Sequence, residues 1–182
     1  MLRRGFLILV AAVALAGCDD DSPTAPNDPN VVVFTAQLSA LNEVPPISNA
    51  EQTGRGDVRI TFNLTRDASN NIVSGTATFV VNLNSFPAGA TWTLAHIHAG
   101  ASGVAGGVEV NTGISPATAI TLTNGTVSNQ TFSNIPITTT PTSGIADPAL
   151  INAIVTNPAG FYFNVHTTLN PGGAVRGQLV KQ

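Results

Sequence analysis

Charge is scarce in this chain. Only 9% of its 182 residues are charged, 7 Lys+Arg against 10 Asp+Glu, where soluble domains usually carry about a quarter. A pI near 5.4 argues against nucleic-acid binding, which a basic patch would be expected to serve. Cysteine occurs once, which excludes an internal disulfide and a cysteine metal cluster. Lys and Glu are rare while Gly, Pro, Ser, Thr and Asn abound, a composition of strands and turns rather than helices. No serine sits in a Gly-x-Ser-x-Gly elbow. The glycine-rich residues 100–107 lack the Lys-Ser/Thr of a phosphate loop. Arg55-Gly56-Asp57 spells an integrin-binding tripeptide, but strings of that length arise by chance.

The apolar run over residues 6–16 is too short to span a bilayer comfortably. Preceded by Arg3 and Arg4 and followed by small residues, it makes residues 1–17 a secretory signal peptide. The single cysteine follows at once, in Leu15-Ala16-Gly17-Cys18, which looks like a bacterial lipobox. Cys18 is then the lipidation site, and acyl chains there would anchor the protein to a membrane of the bacterial cell envelope, periplasmic or outer-surface. The paired arginines fit either the general or the twin-arginine export route. Residues 19–30 are polar and Pro-rich without periodicity, and read with Cys18 as a disordered tether, 18–30.

Residues 31–182 remain as one domain, long enough for a single core. Residues 57–65, DVRITFNLT, alternate with Val58, Ile60, Phe62 and Leu64 on one face. Similar β-branched segments bounded by Gly, Pro, Asn or Ser lie at 31–40, 72–83, 91–98, 107–110, 118–123, 126–132, 161–167 and 174–180. Asn124-Gly125 signals a hairpin between the sixth and seventh of these segments in chain order, and Asn170-Pro171-Gly172-Gly173 one between the last two. One short helix is expected near 147–157, with Asp147 as N-cap, Pro148 at the first helical position and Asn157-Pro158 as its end. The fold class is all-β: an antiparallel Greek-key, immunoglobulin-like β-sandwich of about eight strands.

All three histidines fall in two strand motifs, Ala95-His96-Ile97-His98 and Asn164-Val165-His166. In a strand His96 and His98 share a face about 6.5 to 7 Å apart, and His166 from a neighbouring strand would complete a three-imidazole site for copper or zinc. The plainer alternative is a hydrogen-bonded cluster that fixes loops. Glu43 precedes Pro45-Pro46, which must kink out of the sheet, and is expected either to pair with Arg176 or orient a histidine, or to stand as an exposed loop acid. Arg176, among glycines, would reach a carboxylate or backbone carbonyls, or face an anion.

In order and spacing, LSALNEVPP, LAHIHAG, FYFNVHT and NPGGAVRGQL resemble the CHRD domain, named for chordin and present in many bacterial secreted proteins; the resemblance covers about residues 33–180. It implies an immunoglobulin-like β-sandwich and no settled activity. A fainter likeness is to copper–zinc superoxide dismutase. His96, His98 and His166 would take the copper-ligand places and Arg176 that of the arginine drawing in the anion. A bridging fourth histidine, the zinc ligands, the disulfide cysteines and a long loop before Arg176 are all missing. The expected function is therefore an envelope-anchored, non-catalytic binding or structural module with a protein or polysaccharide partner. The competing expectation is a copper- or zinc-binding protein, with superoxide dismutase-like chemistry as the reaction to test.

Overall fold

The computed structural model describes residues 28–139 and 146–182. The signal segment, Cys18 and nearly all of the tether lie outside the described residues. The strands are β1 (Val31–Ser39), β2 (Arg55–Arg66), β3 (Ile72–Asn84), β4 (Thr91–Ala99), β5 (Val108–Asn111), β6 (Ile120–Thr121), β7 (Val127–Ile137), β8 (Phe161–Thr167), β9 (Val175–Gln178) and β10 (Val180–Lys181), with helix α1 (Pro148–Thr156) before β8. They form one antiparallel sheet ordered β5-β4-β8-β9-β1-β2-β3-β7, with β6 beside β4 and β10 beside β1. β6 and β10 are two-residue pairings, so eight longer strands carry the architecture.

The sheet curls on itself because its alternation buries one face. Phe34, Ile60, Phe62, Phe79 and Val81 point inward from one half, and Ala95, Ile97, Phe163 and Val165 from the other. Phe79 on β3 stacks on Phe163 of β8 with centroids 5.8 Å apart, and Trp92 on β4 meets Phe132 of β7 edge-on at 5.5 Å. The halves are thus joined through the ladder at β1–β9 and closed by aromatic contact at the far edge. The chain crosses between halves from β3 to β4, from β6 to β7 and from β7 through α1 to β8, as Greek-key connections do. This is the β-sandwich class that the sequence predicts.

Capping chemistry places the helix as expected. Asp147 accepts from the Leu150 amide at 2.7 Å, Pro148 opens the first turn, and Ile151 and Ile154 are buried. The turn at Asn170–Gly173 also joins its expected partners, with Val165 opposite Val175 and Asn164 opposite Arg176. The Asn124-Gly125 hairpin is a correction. Asn124 adopts the left-handed φ of 55° that such a turn needs. Yet β6 pairs with Thr91 and Trp92 of β4, while β7 pairs with β3. The dipeptide sets a local turn, but the better apolar partners of the two flanking segments lie in opposite halves.

Gly177 marks the joint. A Cβ there would sit 2.1 Å from the Gln37 carbonyl oxygen on β1, an approach that only glycine permits. Gly177→Ala must push β9 from β1, and we expect a loss of about 1–3 kcal/mol, read as a lower urea midpoint with an unchanged slope.

Candidate metal centre

Residues opposite one another in an antiparallel ladder point to the same side. His96, Asn164 and Arg176 form one such row across β4, β8 and β9; His98, Tyr162 and Gln178 form the next, and His166 lies opposite Leu94. This is the side of the sheet facing away from the aromatic core. It is nonetheless not open to solvent, for His96, His98, Asn164, His166 and Arg176 are all under a tenth exposed. The connections that carry Glu43, Gly106 and Pro171 fold over it. A seam of polar side chains is thereby enclosed outside the apolar core.

Within the seam the three imidazoles converge, each offering one nitrogen within 4.8 Å of the others. His96 Nδ1 lies 3.2 Å from His166 Nε2. His98 Nδ1 is 3.1 Å from the Gly106 carbonyl oxygen, and His166 Nδ1 is 3.0 Å from that of Pro171. A carbonyl only accepts, so both rings carry their proton on Nδ1 and present a lone pair at Nε2. For His166 that lone pair takes the Nδ1–H of His96. For His98 it has no hydrogen-bond partner among the described residues although it is buried. Nitrogens bound at 2.0 to 2.1 Å to one tetrahedral ion lie about 3.4 Å apart. The His96–His166 pair, at 3.2 Å, is close to that spacing, and the His98 ligand nitrogen lies within 4.8 Å of both.

Burial pushes all three imidazoles below their ordinary value, His96 down to about 4, with the neighbouring His166 and then His98 adding to the effect. They are neutral at neutral pH, the form in which imidazole binds a metal. Around them, the Tyr162 ring stacks on His98 with centroids 5.0 Å apart and planes 6° off parallel. The Arg176 guanidinium lies 4.2 Å from the centroid of the same ring and donates to the Val104 carbonyl at 3.0 Å.

Glu43 is buried beside this row. Its Oε2 accepts from Asn164 Nδ2 at 3.4 Å, and its Oε1 has no hydrogen-bond partner among the described residues. Burial raises it to about 7, although the charge of Arg176 and the Asn164 bond pull the other way. Of the expected pairing, Arg176 acts on Glu43 through its charge, while its hydrogen bond goes to a backbone carbonyl.

A CHRD domain family model matches residues 34–179. The chain belongs to the CHRD domain family. No match to it was found among curated proteins or among solved structures. The CHRD assignment is that of a β-sandwich-like fold used as a binding or structural module, and it fits the topology above. The four motifs that carry it are the strands and turns that build the enclosed seam.

All five candidate residues in the CHRD domain, Glu43, His96, His98, His166 and Arg176, therefore lie in or beside one seam. Sequence reasoning passed over Tyr162 and Asn164, though their spacing of four and two from His166 puts them on its face. It also passed over Glu51, Asn170 and the carbonyls of Gly106 and Pro171, for which spacing offers no signal.

Proposed function

We propose that this CHRD domain is a metal-binding module that holds one copper or zinc ion on His96 Nδ1, His98 Nε2 and His166 Nε2. The observation that carries the reading is the buried Nε2 of His98, without a hydrogen-bond partner among the described residues, on a ring that converges with two further imidazoles. Buried polar atoms are nearly always satisfied, so a lone pair left open there calls for a ligand. Two carbonyls fix the ring tautomers in the way that metal-ligating histidines are usually held. On binding, His96 would carry its proton on Nε2 in place of Nδ1.

Bound copper or zinc supplies a Lewis-acid or redox centre with an open coordination place. Arg176 is engaged with Tyr162 and Val104, so it does not serve as an anion-steering arginine in this conformation. The reading is accordingly a binding module rather than a dismutase. The protein would be presented at the bacterial envelope, exported by residues 1–17, anchored through lipid on Cys18 and spaced by the tether.

One observation favours a second reading, a histidine cluster that only shapes the fold: His96 and His166 already bond to each other. Metal content separates the two. The full chain carrying Cys18→Ser, which removes the lipid site and a competing thiol, is exposed to copper or zinc and dialysed extensively. We expect about one equivalent retained, and less than a tenth of that in His96→Gln/His98→Gln, by elemental mass spectrometry. No retained metal in either chain would leave the histidines as scaffold.

A further inference from the structure

A second buried carboxylate stands apart from the histidines and has no part in the site so far. Glu51 is 2% exposed. Its Oε2 accepts from Thr167 Oγ1 and from Asn170 Nδ2, each at 2.6 Å. Such short bonds to a carboxylate are the strong kind. Thr167 directly follows His166, and Asn170 directly precedes Pro171, whose carbonyl takes the His166 Nδ1 proton. The turn between them is tied from within by the Asn170 amide to Thr167 Oγ1 at 3.0 Å and the Gly173 amide to the Asn170 carbonyl at 3.1 Å.

We infer that Glu51 is the positioning residue of the three-histidine site. Through Thr167 and Asn170 it clamps the turn so that the Pro171 carbonyl faces His166 Nδ1, holding the proton there and the Nε2 lone pair toward His96 and His98. No other side chain bonds to both ends of this turn among the described residues. The clamp is long-range in sequence, so a loop from the β1–β2 connection decides which nitrogen of a β8 histidine is free. Without it the turn keeps its internal bonds, the Asn49–Asn170 amide pair and the Thr168 amide's bond to the Thr91 carbonyl, but loses the tie that joins its two ends. The carbonyl then drifts, and the ring is free to carry its proton on Nε2, which blocks a ligand position. The consequence for metal rests on the function proposed above; the tautomer does not.

The test uses the full chain with Cys18→Ser, metal-free, and reads the His166 ring nitrogens by ¹⁵N NMR at neutral pH. The same chains then take copper(II) in competition with a chelator. The parent chain should show His166 as Nδ1–H alone. Glu51→Ala should show both tautomers, with copper affinity down about 10–100-fold, as for other groups that orient metal ligands. Glu51→Gln, whose amide oxygen can accept both bonds, should restore the single tautomer and most of the affinity. If Glu51→Ala does not fold, Thr167→Val, which removes one arm of the clamp, is read in its place. A parent chain on Nε2–H, or a folded variant that keeps pure Nδ1–H, overturns the inference. A parent chain that takes no copper while Glu51→Ala still changes the tautomer overturns the metal reading and leaves the positioning role standing.

Discussion

Copper(II) at a thousandfold excess over its dissociation constant should raise the unfolding free energy of the Cys18→Ser chain by about 4 kcal/mol. For a chain of this size each kcal/mol moves the melting temperature by about 2–4 °C, so the transition should rise by roughly 8–16 °C in circular dichroism. The gain arises because the three imidazole nitrogens converge only in the folded chain, brought together by the β4–β8 register. In the unfolded chain His166 is separated from the His96–His98 pair by a long loop, and its capture costs closure entropy. His98→Gln should abolish the rise. Without metal the same variant loses the bond to Gly106, about 1 kcal/mol, and the stack on Tyr162, about 0.5–1.5 kcal/mol. A metal-dependent loss larger than the metal-free loss is the signature of a ligand. A scaffold histidine would show the reverse, and a melting temperature indifferent to copper in the parent chain would sink the metal reading.

The sequence makes one half of this site readable and hides the other. His96 and His98 share a face because a strand has a period of two. That period follows from the β-branched segment around them, so the pair is visible without a structure. The fold class is visible for the same reason, through Val58, Ile60, Phe62 and Leu64, all buried as their alternation demands. What brings His166 to the pair is the register that sets it opposite Leu94, a long-range pairing that local pattern does not encode. The Asn124-Gly125 turn shows the same boundary from the other side, since its dihedrals are local while the partners of β6 and β7 are not.

The enclosure of the seam is less legible still. Polar residues alternating with apolar ones on β4, β8 and β9 read as a solvated face. They are buried here because loops cover them, and loops carry no periodicity to announce where they land. Gly106 shows the constraint in physical terms. A Cβ at that position would lie 1.7 Å from the Ala99 carbonyl oxygen, so only glycine lets this loop come down far enough for its own carbonyl to reach His98. A glycine-rich stretch that suggests no phosphate loop is, in the fold, the lid of the histidine site.

Acidification of the metal-free chain should expose two opposing proton equilibria in the seam. His96 falls from 6.5 to about 4 on folding, so the unfolded chain binds that proton more tightly. Its contribution to stability is full above pH 6.5 and is lost as pH falls through 4. Glu43 rises from 4.5 to about 7, so the folded chain binds that proton more tightly. Its contribution is full below pH 4.5 and is lost as pH rises through 7. Each shift spans about 2.5 units, or about 3 kcal/mol at 1.36 kcal/mol per unit. Between pH 4.5 and 6.5 the two slopes oppose, and the downward shifts of His98 and His166 add to the histidine side. The parent chain should therefore gain stability only modestly from pH 4 to 7. Glu43→Gln removes the opposing slope, and its gain over that range should exceed the parent's by about 3 kcal/mol. His96→Gln should fall short of the parent by a similar amount. Urea midpoints taken at half-unit steps read both differences directly. Three parallel profiles would mean that neither group changes its proton affinity on folding, and that the seam is wetter than its burial implies.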